Sequence, residues 1–265
     1  MTRPLDAVLN RQRAITAIAL AVLTALAWAW LLMGAGMGME ARADLQLFPR
    51  GADGMAMEMG APAGWSAAKI LLAFSMWWVM MVGMMLPAAA PVILLYARVT
   101  AGDAEAQPAT GSFLAGYLAV WGLFSLLAAG SQAALEGIGV LEPMTMGSSA
   151  RWFSAAVLIA AGLYQLSPLK DACLSRCRNP AVFLSRHYRT GRSGAFRLGL
   201  LHGAYCVGCC WLLMALLFVG GVMNLAWIAL LTLLVAAEKL LPGGRRVAFA
   251  AGLVFVAWGT AVALA

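Results

Sequence analysis

This 265-residue sequence predicts an all-α fold, a polytopic membrane helix bundle of about seven transmembrane helices with the N-terminus inside and the C-terminus outside. Three observations carry that prediction. Hydrophobic residues make up 63% of the chain and charged residues 11%, against roughly 45–50% and about 25% in soluble domains, and no water-soluble core could enclose so much apolar surface. The apolar residues come in long, nearly charge-free runs, the pattern of helices that satisfy their own backbone hydrogen bonds in lipid. With the N-terminus inside, 14 of the 18 lysines and arginines fall on the inner side, the asymmetry that orients membrane helices.

The runs follow in order. Residues 14–33 come after Arg3, Arg11 and Arg13; the run is too long for a signal-peptide core and no small-x-small cleavage site closes it, so it is expected to span. Residues 70–97 contain Pro87 and Pro91 and exceed a hydrocarbon core of about 30 Å, so this helix must tilt, kink near 83–91 or protrude. Further spans are expected at 112–130, 152–166, 198–219, 222–237 and 247–264, with only the Gly220-Gly221 turn between the fifth and sixth, which predicts antiparallel neighbours. An external loop, 34–69, is rich in methionine, and a basic cytoplasmic loop covers 167–197. The chain is thus expected in a membrane, with the lipid bilayer as its first partner.

The formal charge of +7 does not indicate nucleic acid, because the basic residues sit in the connections between apolar runs. Five cysteines, an odd number partly inside an apolar run, argue against a secreted disulfide framework. No Ser/His/Asp order, phosphate-cradling glycine loop or intramembrane carboxylate pair is apparent, so no enzymatic activity is expected.

Soft sulfur ligands are what the sequence concentrates. In the external loop Met37 and Met39, then Met55, Met57 and Met59, form Met-x-Met runs whose thioethers could gather Cu(I), although a Met-biased loop packed on the membrane surface would read the same way. In the second helix Met76, Met80 and Met84 recur every four residues, with Met81 and Met85 on an adjacent stripe; thioethers are also ordinary packing groups. The fifth helix carries His202-Gly-Ala-Tyr-Cys206-Val-Gly-Cys209-Cys210. Here His202, Cys206 and Cys209 share one face at i, i+4 and i+7, Cys210 flanks them, and Gly203 and Gly208 leave room for a neighbouring helix. Imidazole, thiolate and thioether donors suit Cu(I) first and Zn(II) second. Cys173 and Cys177 form a further i, i+4 pair among basic residues. His187, Glu136 and Glu142 read as solvated, and Glu238-Lys239 as an interfacial pair, unless a glutamate at that depth faces the bundle.

The stretches 76–87, 167–177 and 202–211, together with Val222-Met-Asn and Glu238-Lys239, resemble a bacterial family of predicted metal-binding integral membrane proteins over roughly residues 70–245. The Cys-x-x-Cys-Cys-Trp segment is the most specific part. The resemblance implies metal binding. From outside to inside the order is then external Met loop, Met ladder, His/Cys cluster and Cys173/Cys177. That order leads to the expectation of a protein that binds a soft metal, Cu(I) foremost, and transports or delivers it, with a metallochaperone or another membrane subunit as partner. Two other readings stay open on the sequence: a thiol-disulfide oxidoreductase using Cys206/Cys209 and Cys173/Cys177, and a non-catalytic structural subunit of a membrane complex.

Overall fold

The computed structural model describes residues 3–36, 65–102, 106–143 and 145–265, and is helical throughout apart from one isolated bridge between Leu141 and Ser148. The elements are α1 (Arg3–Leu32), a short 3-10 turn (Gly34–Gly36), α2 (Ala67–Val99), α3 (Ala106–Gly137), α4 (Arg151–Gln165), α5 (Pro168–Arg178), α6 (Pro180–His187), α7 (Gly191–Ala215), α8 (Leu217–Gly220), α9 (Leu225–Leu240) and α10 (Gly244–Leu264). Each of the seven apolar runs lies in a helix. Five segments are long and apolar enough to cross a membrane: Arg11–Leu32, Ala67–Val99, Pro108–Gly137, Gly191–Gly220 and Gly244–Leu264. A sixth is added if α4 and α5, bent by 63° at their junction, count as one span. The remaining run, the sixth in order, is α9, at 16 residues about 24 Å long. Met37, Met39, Met55, Met57 and Met59 lie outside the described residues.

Helix α2 is the axis of the core, packed by α1, α3, α6 and α9. Ser66 caps it by accepting a hydrogen bond from Lys69 N at 3.2 Å. It runs as one helix through Pro87 and Pro91, where the sequence allows a kink. Pro87 has no N–H for the carbonyl four residues back, but that carbonyl, Gly83 O, accepts a bond from Trp28 Nε1 of α1 at 3.3 Å. The neighbouring helix thus repairs the gap the proline leaves.

Two differences from the sequence reading bear on function. The basic stretch 167–197 is not an irregular loop, because it holds α5, α6 and the first turns of α7. Ser167 accepts from Lys170 N at 3.2 Å and Pro168 opens the new helix, so the same two residues end α4 and start α5; Asn179-Pro180 then starts α6. Also, α7 packs chiefly on α3, while α9 leans on α2 and α10 and barely touches α7, despite the short connection. There α8 intervenes, Gly221 adopts φ +94°, and the Trp227 indole lies against Gly220, which together turn the chain away. The α3/α7 contact is close because Gly116 and Gly199 each meet a backbone carbonyl of the other helix, and a Cβ at Gly203 would stand 2.9 Å from Val120 Cβ.

Candidate metal centre

Helix α7 turns one face into the bundle, and His202, Cys206, Cys209, Cys210 and Met214 are all buried there. Cys209 Sγ and Cys210 Sγ both donate to the Cys206 carbonyl, at 3.1 and 3.0 Å, so the last two thiols fold back beside the first. All five cysteines are free thiols.

Four other helices complete the surroundings. From α3, the Tyr117 hydroxyl donates to Met85 O at 3.1 Å and lies 3.1 Å from Cys206 Sγ. From α2, Met85 Sδ stands 3.8 Å from Cys210 Sγ, a thiol-to-thioether contact. From α9, Lys239 Nζ donates to Cys206 Sγ at 2.9 Å. From α5, Cys173 Sγ sits 3.0 Å from where a Cβ on Gly208 would be, and Cys177 packs against the same core. Tyr164 of α4 donates to Gly208 O, which fixes that part of α7 from a further side.

A polar cluster adjoins the thiols. Glu238 accepts from Gln165 Nε2 at 2.6 Å and from Lys170 Nζ at 2.6 Å, and Lys170 also donates to Gln165 Oε1; all three side chains are buried. Lys170 is fully enclosed, which a 2.6 Å ion pair and a second acceptor make tolerable.

His202 shares the α7 face but not the thiol contacts. Its ring sits among Phe113, Tyr117 and Phe183, with centroids 6.2, 5.8 and 5.2 Å away, and its buried Nδ1 has no hydrogen-bond partner among the described residues. Met76, Met80 and Met84 are buried in the core, yet the thioether that meets a cysteine is Met85 of the adjacent stripe. Among the described residues, no three His, Cys, Asp or Glu side chains already surround one ion position. The groups that meet around Cys206 and Cys210 are thiols, a thioether, a phenol and an ammonium, and the sulfur atoms among them are soft donors.

A family model described as PpoB2, copper chaperone, matches residues 74–262. The chain belongs to this copper chaperone family. The matched span contains α2 from Phe74 onward, all five cysteines, His202 and Lys239, and so all the sulfur donors that meet in the core. No curated protein and no solved structure matches the chain.

Within this family member, several residues at the centre escaped the sequence reading. Glu238 and Lys239 read as interfacial because they end an apolar run, yet both face inward, Lys239 onto sulfur and Glu238 onto Lys170. Two ionisable residues on an otherwise apolar helix were the available signal. Tyr117 and Gln165 carried no such signal, being uncharged polar residues of a kind that apolar helices hold elsewhere too. Glu136 is not solvated either: it accepts from Gln132 at 2.9 Å and pairs with Lys69 at 3.0 Å, and Gln132 in turn accepts from Trp77 at 2.8 Å. His187 is half-buried, with Nδ1 2.9 Å from Phe183 O and its ring on Phe183.

Proposed function

We infer that this protein is a Cu(I)-binding integral membrane protein that takes up copper and hands it to a partner across or within the bacterial inner membrane. The single observation that carries this reading is the meeting of Cys210 with Met85 at 3.8 Å beside Cys206 and Cys209, in a chain of a copper chaperone family. Thiolate and thioether together form a donor set that holds Cu(I) and accommodates Zn(II) less well. In this reading the ligands come from Cys206, Cys209, Cys210 and Met85, with Cys177 and Cys173 on the α5 side and His202 as a neighbouring nitrogen donor. Met76, Met80 and Met84 form the apolar sulfur-rich approach from the outer side, where Met37, Met39, Met55, Met57 and Met59 collect the ion. The topology is seven spans, N-terminus inside and C-terminus outside. The receiving partner is a metallochaperone or another membrane subunit, and no reaction is catalysed.

Copper per protein, measured on detergent-purified protein loaded with Cu(I) under reducing conditions, tests this. Cys206→Ser and Cys209→Ser are expected to lower it most, because a hydroxyl is a far weaker Cu(I) ligand than a thiolate, and Met85→Leu to lower it less while conserving volume. Unchanged copper in all three variants would overturn the reading. The approach of the α5 cysteines to α7, with Cys173 Sγ 3.0 Å from a Cβ position on Gly208, favours one competitor, thiol-disulfide exchange. That activity would survive Met85→Leu intact and vanish with either cysteine.

A further inference from the structure

We propose that the cleft between the end of α6 and the first half of α7 binds the headgroup and upper acyl chains of an anionic phospholipid, held by Arg186, Arg189 and Arg197. The sequence prepares such a site. Between Asp171 and Glu238 the chain has no acidic residue, and its six cations there, Arg176, Arg178, Arg186, Arg189, Arg192 and Arg197, are all arginines. The fold employs the two on α5: Arg176 donates to the Tyr205 hydroxyl at 2.6 Å, and Arg178 to the carbonyls of Leu241 and Pro242 at 2.8 and 2.7 Å. Arg192 is engaged as well. The side chains of Arg186, Arg189 and Arg197 have no hydrogen bond or ion pair among the described residues. All three line one cleft of about 470 Å³, within the range of small-ligand sites.

Both halves of an amphipathic ligand find a counterpart there. Arginine presents a planar fork that meets a phosphodiester through two parallel N–H bonds, and its charge is permanent. Thr190 places no side-chain cap on α7, so the first-turn amides of this 25-residue helix add donors at the same end. Gly194, in that turn, lines the cleft, and a Cβ there would stand 2.7 Å from Arg189 O, so the arginine-bearing connection lies directly on the helix. Beyond Arg197 the lining turns apolar, with Leu198, Leu201 and Ala204 following over about 10 Å of α7. They belong to Gly191–Gly220, a segment long and apolar enough to cross a membrane, which puts that wall level with hydrocarbon when α7 spans. Tyr188 and Phe196, 37% and 40% exposed, are aromatic residues of the kind that settle at the membrane interface. A nucleotide or an acidic peptide would match the arginines alone, whereas a phospholipid matches arginines and leucines together. The assignment rests on α7 crossing the membrane and not on the copper reading.

The test uses full-length protein in a neutral detergent, titrated with phosphatidylglycerol and read by native mass spectrometry as lipid retained per protein, with circular dichroism to follow folding. Phosphatidylcholine of the same chain length is expected to bind at least about tenfold more weakly. The triple variant Arg186→Gln/Arg189→Gln/Arg197→Gln is expected to weaken phosphatidylglycerol binding by at least about tenfold. Arg11→Gln/Arg13→Gln/Arg246→Gln, which removes as many exposed charges from the inner side of the predicted topology, leaves it unchanged. If the first triple variant does not fold, Arg197→Gln alone is expected to weaken binding by about threefold. Equal loss in the two triple variants, equal retention of the two lipids, or unchanged affinity in a folded Arg197→Gln protein overturns the proposal. Two competitors separate the remaining sources of negative charge. Displacement of the lipid by glycerol phosphate, a head without tails, would make the cleft a free-phosphate site, and displacement by poly-glutamate a protein-docking site; either result overturns the lipid assignment.

Discussion

Lys170 and Glu238 lie 68 positions apart in sequence and 2.6 Å apart in space, both almost wholly out of contact with solvent. A pair enclosed this way adds little net stability, yet either member left alone is costly, because its charge keeps no partner in a medium that cannot solvate it. Lys170→Met is therefore expected to destabilise the protein by about 3–5 kcal/mol, and the double variant Lys170→Met/Glu238→Gln to recover most of that loss. Thermal unfolding in detergent, followed by circular dichroism, checks both. At this scale the sequence was legible where periodicity speaks and silent where it does not. His202, Cys206 and Cys209 shared a face because 3.6 residues make a turn. The choice of Met85 over Met80 or Met84 depends on how α2 is rotated against α3 and α7, and two adjacent methionine stripes at the same spacing leave that rotation open.

Ser167-Pro168 marked a helix stop in the sequence, but the direction of the next helix is a tertiary matter. The structure turns α5 by 63° and lays Cys173 against Gly208. A Cβ on residue 208 would stand 3.0 Å from Cys173 Sγ, so an alanine there asks for a small shift of that side chain and a leucine presses on α5. Gly208→Leu is expected to lift α5 and speed the reaction of Cys173 and Cys177 with a membrane-impermeant maleimide applied to the cytoplasmic side. Gly130→Leu, at a position with open space around it, leaves the labelling rate unaltered and serves as the control. Measured as time courses in inside-out vesicles, equal rates for both variants would contradict the packing of α5 on α7.

For the molecule as a whole, reporter fusions after Arg189 are expected to read cytoplasmic and fusions within residues 53–60 external, and the reverse at either point would overturn the topology derived from the basic residues. Helical class and the presence of several long apolar helices were legible because hydropathy alone sets them. Their packing order was not, because short connections do not force contact, as α7 and α9 demonstrate. One dimension of the bundle reaches beyond its metal chemistry. Helix α2 is one continuous helix of 33 residues that runs through two prolines, with Trp28 filling the gap left by the first. Lys69 near its start and Arg98 at its end are about 43 Å apart at 1.5 Å per residue. A whole bilayer, headgroups included, measures about 40–45 Å. If α2 spans the bilayer over that length, shorter-tailed lipids are expected to tilt it, together with the helices packed on it.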